Sequence, residues 1–183
     1  FKDIEKREIP QKPGNRTFTK ESFEETSPVT PRAHVIANND YTMVLTDCGA
    51  SFSVFHGLDL TKRSHDLLRR PTGIFALAKA QGQILSATYA PFYTADPAYK
   101  QQTTFLTDGA IYRTNAENWG ISMHACLHGN LPCEARQFEI SNDTNRSLET
   151  NLLIYLEPLL SKTADEEAHP AFSRLFLQAT YQA

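Results

Sequence analysis

At 183 residues the chain can bury one substantial domain, and 40% apolar content with 11 Phe and 7 Tyr excludes a disordered polymer. The net charge of −3 comes from acidic and basic residues mixed along the chain, and the absence of a basic stripe argues against a nucleic-acid partner. The longest apolar run, Leu152 to Leu156, is far too short for a membrane span; three irregularly spaced cysteines and no signal-peptide pattern point to a reducing, cytoplasmic setting.

Residues 1–30 are rich in Lys, Glu, Pro and Thr. Pro10 and Pro13 stop the one helical turn that could begin there, so a poorly structured lead-in is expected before a domain at 31–183. His34 to Ala37 meets Asn38-Asn39-Asp40, residues that tolerate positive φ, and a hairpin follows from that chemistry. Tyr41, Met43 and Leu45 then alternate with Thr42, Val44 and Thr46, the period of a half-buried strand. Asp47-Cys48-Gly49-Ala50 breaks the run and Ser51 to Phe55 resumes it. Strands are expected at Gly73 to Ala78 and Ile84 to Tyr89, around a turn at Ala80-Gln81-Gly82-Gln83. Two more, Thr103 to Leu106 and Ala110 to Thr114, flank the hairpin signal Asp108-Gly109.

Trp119 to Leu127 sets Ile121, Met123, Ala125 and Leu127 against Ser122, His124, Cys126 and His128, and Arg136 to Ser141 follows before the turn cluster 142–147. Leu148 to Glu157 fits either a helix face or a strand; the turn before it and Pro158 after it favour strand. Near the C-terminus, alternation gives Leu175 and Leu177 to one side and Phe176 to the other. A closing strand is expected there, with an apolar patch near Phe176 and self-association of the isolated chain. About eleven short strands without a helix make an all-β antiparallel sandwich or barrel.

Chemistry-bearing groups are sparse. His124, Cys126, His128 and Cys133 have the composition of a zinc set, but strand neighbours two apart are separated by about 7 Å and do not converge, so no metal is expected. Cys48 lacks a nucleophile elbow, and the carboxylates Asp47, Asp59, Asp66, Asp108, Glu134 and Glu157 are scattered over strand ends. Aromatic faces can stack on the apolar face of a ligand ring. Trp119 and Tyr112 belong to a core, whereas Tyr93 and Tyr99, in the loop 91–100, are expected to be exposed and are candidates for binding a substrate.

Several segments carry a resemblance. The stretch from Asn38 to Ser53, the segment His56 to Asp66, Ile84 to Pro91, Gly109 to Arg113, Asn142 to Ser147, and above all Ala164 to Tyr181 (ADEEAHPAFSRLFLQATY) resemble N-terminal motifs of glycoside hydrolase family 94, in the family's order. One departure is Arg63, where the family's motif carries Trp. That family, formerly glycosyltransferase family 36, holds cellobiose and β-1,2-oligoglucan phosphorylases and cyclic β-1,2-glucan synthases. The resemblance implies a large N-terminal β-sandwich similar to the galactose-mutarotase supersandwich, part of a larger enzyme and packed on a downstream helical catalytic barrel. It further implies a β-linked glucan or glucoside as substrate, a possible homodimer, and Arg113 beside the sugar pocket. The catalytic acid and the phosphate ligands of the family lie in the barrel, so no catalytic residue and no cofactor are expected in this chain, and it should be inactive alone. An independent carbohydrate-binding module is the competing expectation.

Overall fold

In the computed structural model, which describes residues 20–27, 29–38, 40–67, 69–93, 96–175 and 177–182, the period-two runs fold as antiparallel strands. After β1 (Glu21–Phe23), β2 (Ala33–Asn38) and β3 (Tyr41–Thr46) pair from Ala33–Thr46 to Asn38–Tyr41, the hairpin expected around the asparagines. β4 (Ser51–Phe55) and β5 (Leu58–Thr61) extend this meander. Next come β6 (Phe75–Ala80), β7 (Gln83–Ser86), β8 (Lys100–Leu106), β9 (Gly109–Asn115), β10 (Trp119–Leu127), β11 (Glu134–Asn142), β12 (Asn151–Tyr155) and β13 (Pro158–Ser161). They form three sheets, ordered β13-β5-β4-β3-β2, β12-β6-β7 and β1-β8-β9-β10-β11. The β6–β7 turn, Gln81-Gly82, has φ of 51° and 78°; both values are positive, as a two-residue loop matched to the strand twist requires.

The sheets meet through the apolar faces that the alternation supplies. Met43, Leu45, Phe75, Leu85, Tyr112, Trp119, Ile121 and Met123 are each at most 2% exposed. Each contributes about 1.5–3 kcal/mol by leaving water. Hydrogen bonds tie the layers where polar groups enter. The Tyr112 hydroxyl donates to the Thr46 carbonyl (2.8 Å), the Thr103 hydroxyl to the Asp47 carbonyl (2.7 Å), and the Trp119 indole N–H to Gln83 Oε1 (3.3 Å). Gly109 has no room for a side chain, because a Cβ there would stand 2.0 Å from the Ala125 carbonyl oxygen. The glycine of the hairpin signal Asp108-Gly109 therefore serves the close approach of β9 and β10.

A charged cluster also enters the sandwich. Arg136, with a side chain 7% exposed, reaches Glu134 (3.3 Å) and the Ser51 hydroxyl (3.3 Å), and the Ser53 hydroxyl donates to the second Glu134 oxygen. Burial, then the nearby Glu134 charge, pushes the Tyr41 phenol up to about 12. At the departure noted above, the Arg63 guanidinium lies 4.4 Å from the Phe52 ring centroid and pairs with the buried Asp59. A flat cation thus covers the ring where the related motif carries a flat indole.

Three expectations are corrected. Thirteen strands, not about eleven, are present among the described residues. No described residue of the expected closing strand, His169 to Tyr181, is in a strand: α1 (Thr163–Ala168) precedes the segment and α2 (Pro170–Arg174) takes its first residues. Pro170 pre-sets the first helical φ of α2, His169 joins the two helices, and Asp165 and Glu166 favour the start of α1, so local chemistry overrides the alternation. Phe176, the centre of the expected patch, lies outside the described residues. Finally, part of the lead-in is ordered: β1 pairs with β8, and Phe23 meets Phe105 edge-on at 5.3 Å. Residues 1–19 lie outside the described residues.

β12 is a strand, as the flanking turn and proline require, yet it is exposed along its whole length. Leu152, Leu153, Ile154, Tyr155 and the following Leu156 are 44–59% exposed, on the outer edge of the β12-β6-β7 sheet.

Candidate functional site

A concavity at the edge of the β1-β8-β9-β10-β11 sheet follows from a divergence of two strands. The β1–β8 ladder runs from Glu21–Phe105 to Phe23–Thr103 and stops, so Glu24 and Glu25 leave the sheet opposite the first residues of β8. A cleft of about 580 Å³ opens there, lined by Glu24, Glu25, Tyr99, Lys100, Gln101, Gln102 and Asn115. Because β8 is an edge strand over this stretch, residues from both of its faces reach the cleft: Gln101 is in register with Thr114, Gln102 with Arg113 and Lys100 with Asn115.

The walls are held from behind. The Arg32 guanidinium donates to the Glu25 carbonyl (3.0 Å), lies 4.5 Å from the Phe23 ring centroid, and is anchored by the fully buried Asp47 carboxylate (3.0 Å). Asp47 also accepts from the Arg32 backbone N–H (3.1 Å); burial raises its pKa, and these bonds from Arg32 oppose the rise. On the opposite wall Asn115 lies across Gly120, its Oδ1 standing 2.4 Å from where a Cβ would be, so its placement depends on that glycine. Gln101 Nε2 donates to the Thr114 hydroxyl (3.4 Å).

Tyr99 and Gln101 are shared with a smaller, adjoining pocket of about 40 Å³, whose other walls are Ile84, Leu85, Ser86, Thr88, Tyr89 and Phe92. Ile84 and Phe92 are half exposed. Polar trough and aromatic shelf therefore meet at Tyr99.

Of the three residues selected from the sequence, Tyr99 lines both pockets. Tyr93 is one ring removed: it packs edge-on against Tyr89 at 5.5 Å, its hydroxyl donates to the Leu67 carbonyl, and burial raises the pKa of its phenol. Its φ of 53° holds this arrangement in place. Arg113 is exposed on the outer face of β9, in register with Gln102 and Ser122 but outside the cleft lining. Glu24, Glu25, Lys100, Gln101, Gln102 and Asn115 were not singled out from the sequence. Glu24 and Glu25 sit in what reads as a solvated lead-in, and the amides have no motif.

His124 and Cys126 share a face of β10 and His128 follows its last residue, and among the described residues no group of three His, Cys, Asp or Glu side chains converges to hold a metal ion. His124 Nε2 is buried without a partner, whereas His128 Nδ1 accepts from the backbone N–H groups of Asn130 and Leu131. The three cysteines are free: Cys48 is buried, Cys126 partly buried and Cys133 exposed. No helix among the described residues is long and apolar enough to cross a membrane.

Compared with known proteins, residues 17–183 match the family model described as glycosyl hydrolase 94, supersandwich domain. The chain is also similar to the cyclic β-(1,2)-glucan synthase NdvB of Rhizobium meliloti (strain 1021), with 25% identity over 146 residues. That similarity covers 79% of this chain but only 5% of the synthase.

Proposed function

Since the chain belongs to the glycosyl hydrolase 94 supersandwich family, we propose that it is the non-catalytic β-domain of an enzyme that makes or phosphorolyses β-linked glucans, packing on a helical catalytic domain and helping to shape its sugar site. The observation that carries this reading is the family match from residue 17 to residue 183, over a chain whose sheets form the expected sandwich. Similarity to a protein named as a glucan synthase supports a β-glucan rather than another polymer. The exposed apolar strand β12 supports a covering element, either the helical domain or a second subunit of a homodimer. The three free thiols suit a reducing cytoplasm. Arg113, Tyr93 and Tyr99 are the residues we assign to the sugar side, with Tyr99 alone contacting the cleft in this arrangement.

The test joins two proteins. The 183-residue chain should neither phosphorolyse nor hydrolyse cellobiose or β-1,2-gluco-oligosaccharides, while the parent protein should turn over one of them. Phosphate-dependent release of glucose 1-phosphate by the chain alone would overturn the non-catalytic assignment; a parent inert on every β-glucan would overturn the enzyme reading.

A further inference from the structure

We propose that the cleft between Glu24-Glu25 and the first residues of β8 binds an uncharged β-linked gluco-oligosaccharide, with Tyr99 as its stacking platform. The proposal rests on the β-glucan reading above and deepens it by placing the chain's own contact with the polymer.

Four observations converge on it. The first is size: about 580 Å³ lies within the range of small-molecule sites. The second is chemistry. Among the described residues the lining contains no aliphatic side chain; it holds two carboxylates, three primary amides, one ammonium and one phenol ring. Vicinal sugar hydroxyls each donate and accept, and planar amides and carboxylates present paired donors and acceptors at matching spacing. The apolar faces of a pyranose ring need a different surface, and the shelf of Tyr99, Tyr89, Phe92 and Ile84 adjoins the trough directly. A ligand with a polar rim and apolar faces fits both halves, whereas a wholly polar ion or a wholly apolar molecule would leave one half unused.

The third observation is preorganisation. Arg32 pins the Glu25 backbone, and Gly120 seats Asn115, so the walls are fixed before any ligand arrives and less ordering entropy is lost on binding. The fourth is charge. Glu24 and Glu25 outnumber Lys100, so the trough repels a phosphate group and favours a neutral chain over a sugar phosphate.

The experiment is a titration of the 15N-labelled 183-residue chain, followed by NMR, with a β-1,2-linked glucotetraose and, separately, glucose 1-phosphate. The tetraose is expected to move the amide signals of Glu24, Glu25, Tyr99 to Gln102 and Asn115, and glucose 1-phosphate to leave them in place. Tyr99→Ala and Gln102→Ala should each weaken binding at least about tenfold, roughly the loss of one stacked ring or one paired amide. Gln102, on the outer face of the sheet, can be changed without touching the core, so its variant reports on binding even if Tyr99→Ala unfolds. Shifts confined to another surface, equal response to glucose 1-phosphate, or wild-type affinity in Gln102→Ala would overturn the proposal. If the parent enzyme acts on β-glucans while the cleft stays silent, the cleft assignment fails and the domain assignment stands.

Discussion

Tyr41 offers a direct measure of how the charged cluster is integrated into the sandwich. It is 4% exposed, and burial, reinforced by Glu134, moves its phenol from 10.0 to about 12. The unfolded chain releases this proton near pH 10, and the folded chain holds it two decades further. Between those values the native state carries more protons than the unfolded one, so stability falls as pH rises; below pH 10 the contribution is fully present. For this single group the loss is about 1.4 kcal/mol at pH 11 and about 2 kcal/mol at pH 12. Tyr41→Phe removes the titration together with the hydroxyl's polar interactions with Ser53 and Glu134, a deletion that costs about 1 kcal/mol at neutral pH. Wild type should therefore be more stable than Tyr41→Phe at pH 8, equal to it near pH 11, and less stable at pH 12. Urea unfolding followed by circular dichroism at each pH reads the difference, in which the other tyrosines and the lysines cancel. Parallel pH profiles for the two proteins would refute the idea that the Tyr41 hydroxyl is held in a low-dielectric site beside Glu134.

Three further outcomes are expected. Asp47→Ala, which strands the Arg32 N–H and removes the anchor behind the cleft wall, should cost about 2–3 kcal/mol in a chemical melt; a change below about 0.5 kcal/mol would show the pair to be a surface ornament. Gly109→Ala puts a methyl 2.0 Å from a backbone carbonyl that cannot swing aside, so it should lower the melting temperature by several degrees, and unchanged melting would mean that β9 and β10 separate at little cost. Elemental analysis of purified protein should find less than a tenth of an equivalent of zinc, and chelator should leave the melting curve in place; about one zinc per chain would mean that His124, Cys126 and His128 converge after all.

What could be read from the sequence divides along physical lines. β3 and β10 were legible because one face of each is wholly buried, so burial alternates with period two and nothing local competes. The C-terminal helices were not, because the apolar run 175–177 also fits a strand buried on both sides, and a turn of helix set by Pro170 after His169 leaves no long-range pattern. β1 was hidden in a polar segment: its three residues owe their conformation to the β8 edge and to one aromatic contact, Phe23 with Phe105. The candidate site shows the same split. Tyr99 stood out as an aromatic in a loop, but the residues facing it come from segments about 75 positions apart, and no spacing rule links Glu24 to Gln101. Strand divergence is a property of the assembled sheet.

The naked strand β12 has a consequence for the solubility of the chain. From Thr150 to Leu156 there are seven residues without a charge or a proline, rich in β-branched, aromatic and aliphatic side chains, bounded only by Glu149 and Glu157. Such a window, at a sheet edge, is a template for cross-β stacking with other copies whenever it is left uncovered. Natural edges carry a lysine, a proline or a bulge to prevent this, and β12 pairs with β6 in unbroken register without any of them. Without a gatekeeper the strand leaves an edge at which copies of the chain can pair and aggregate unless something covers it.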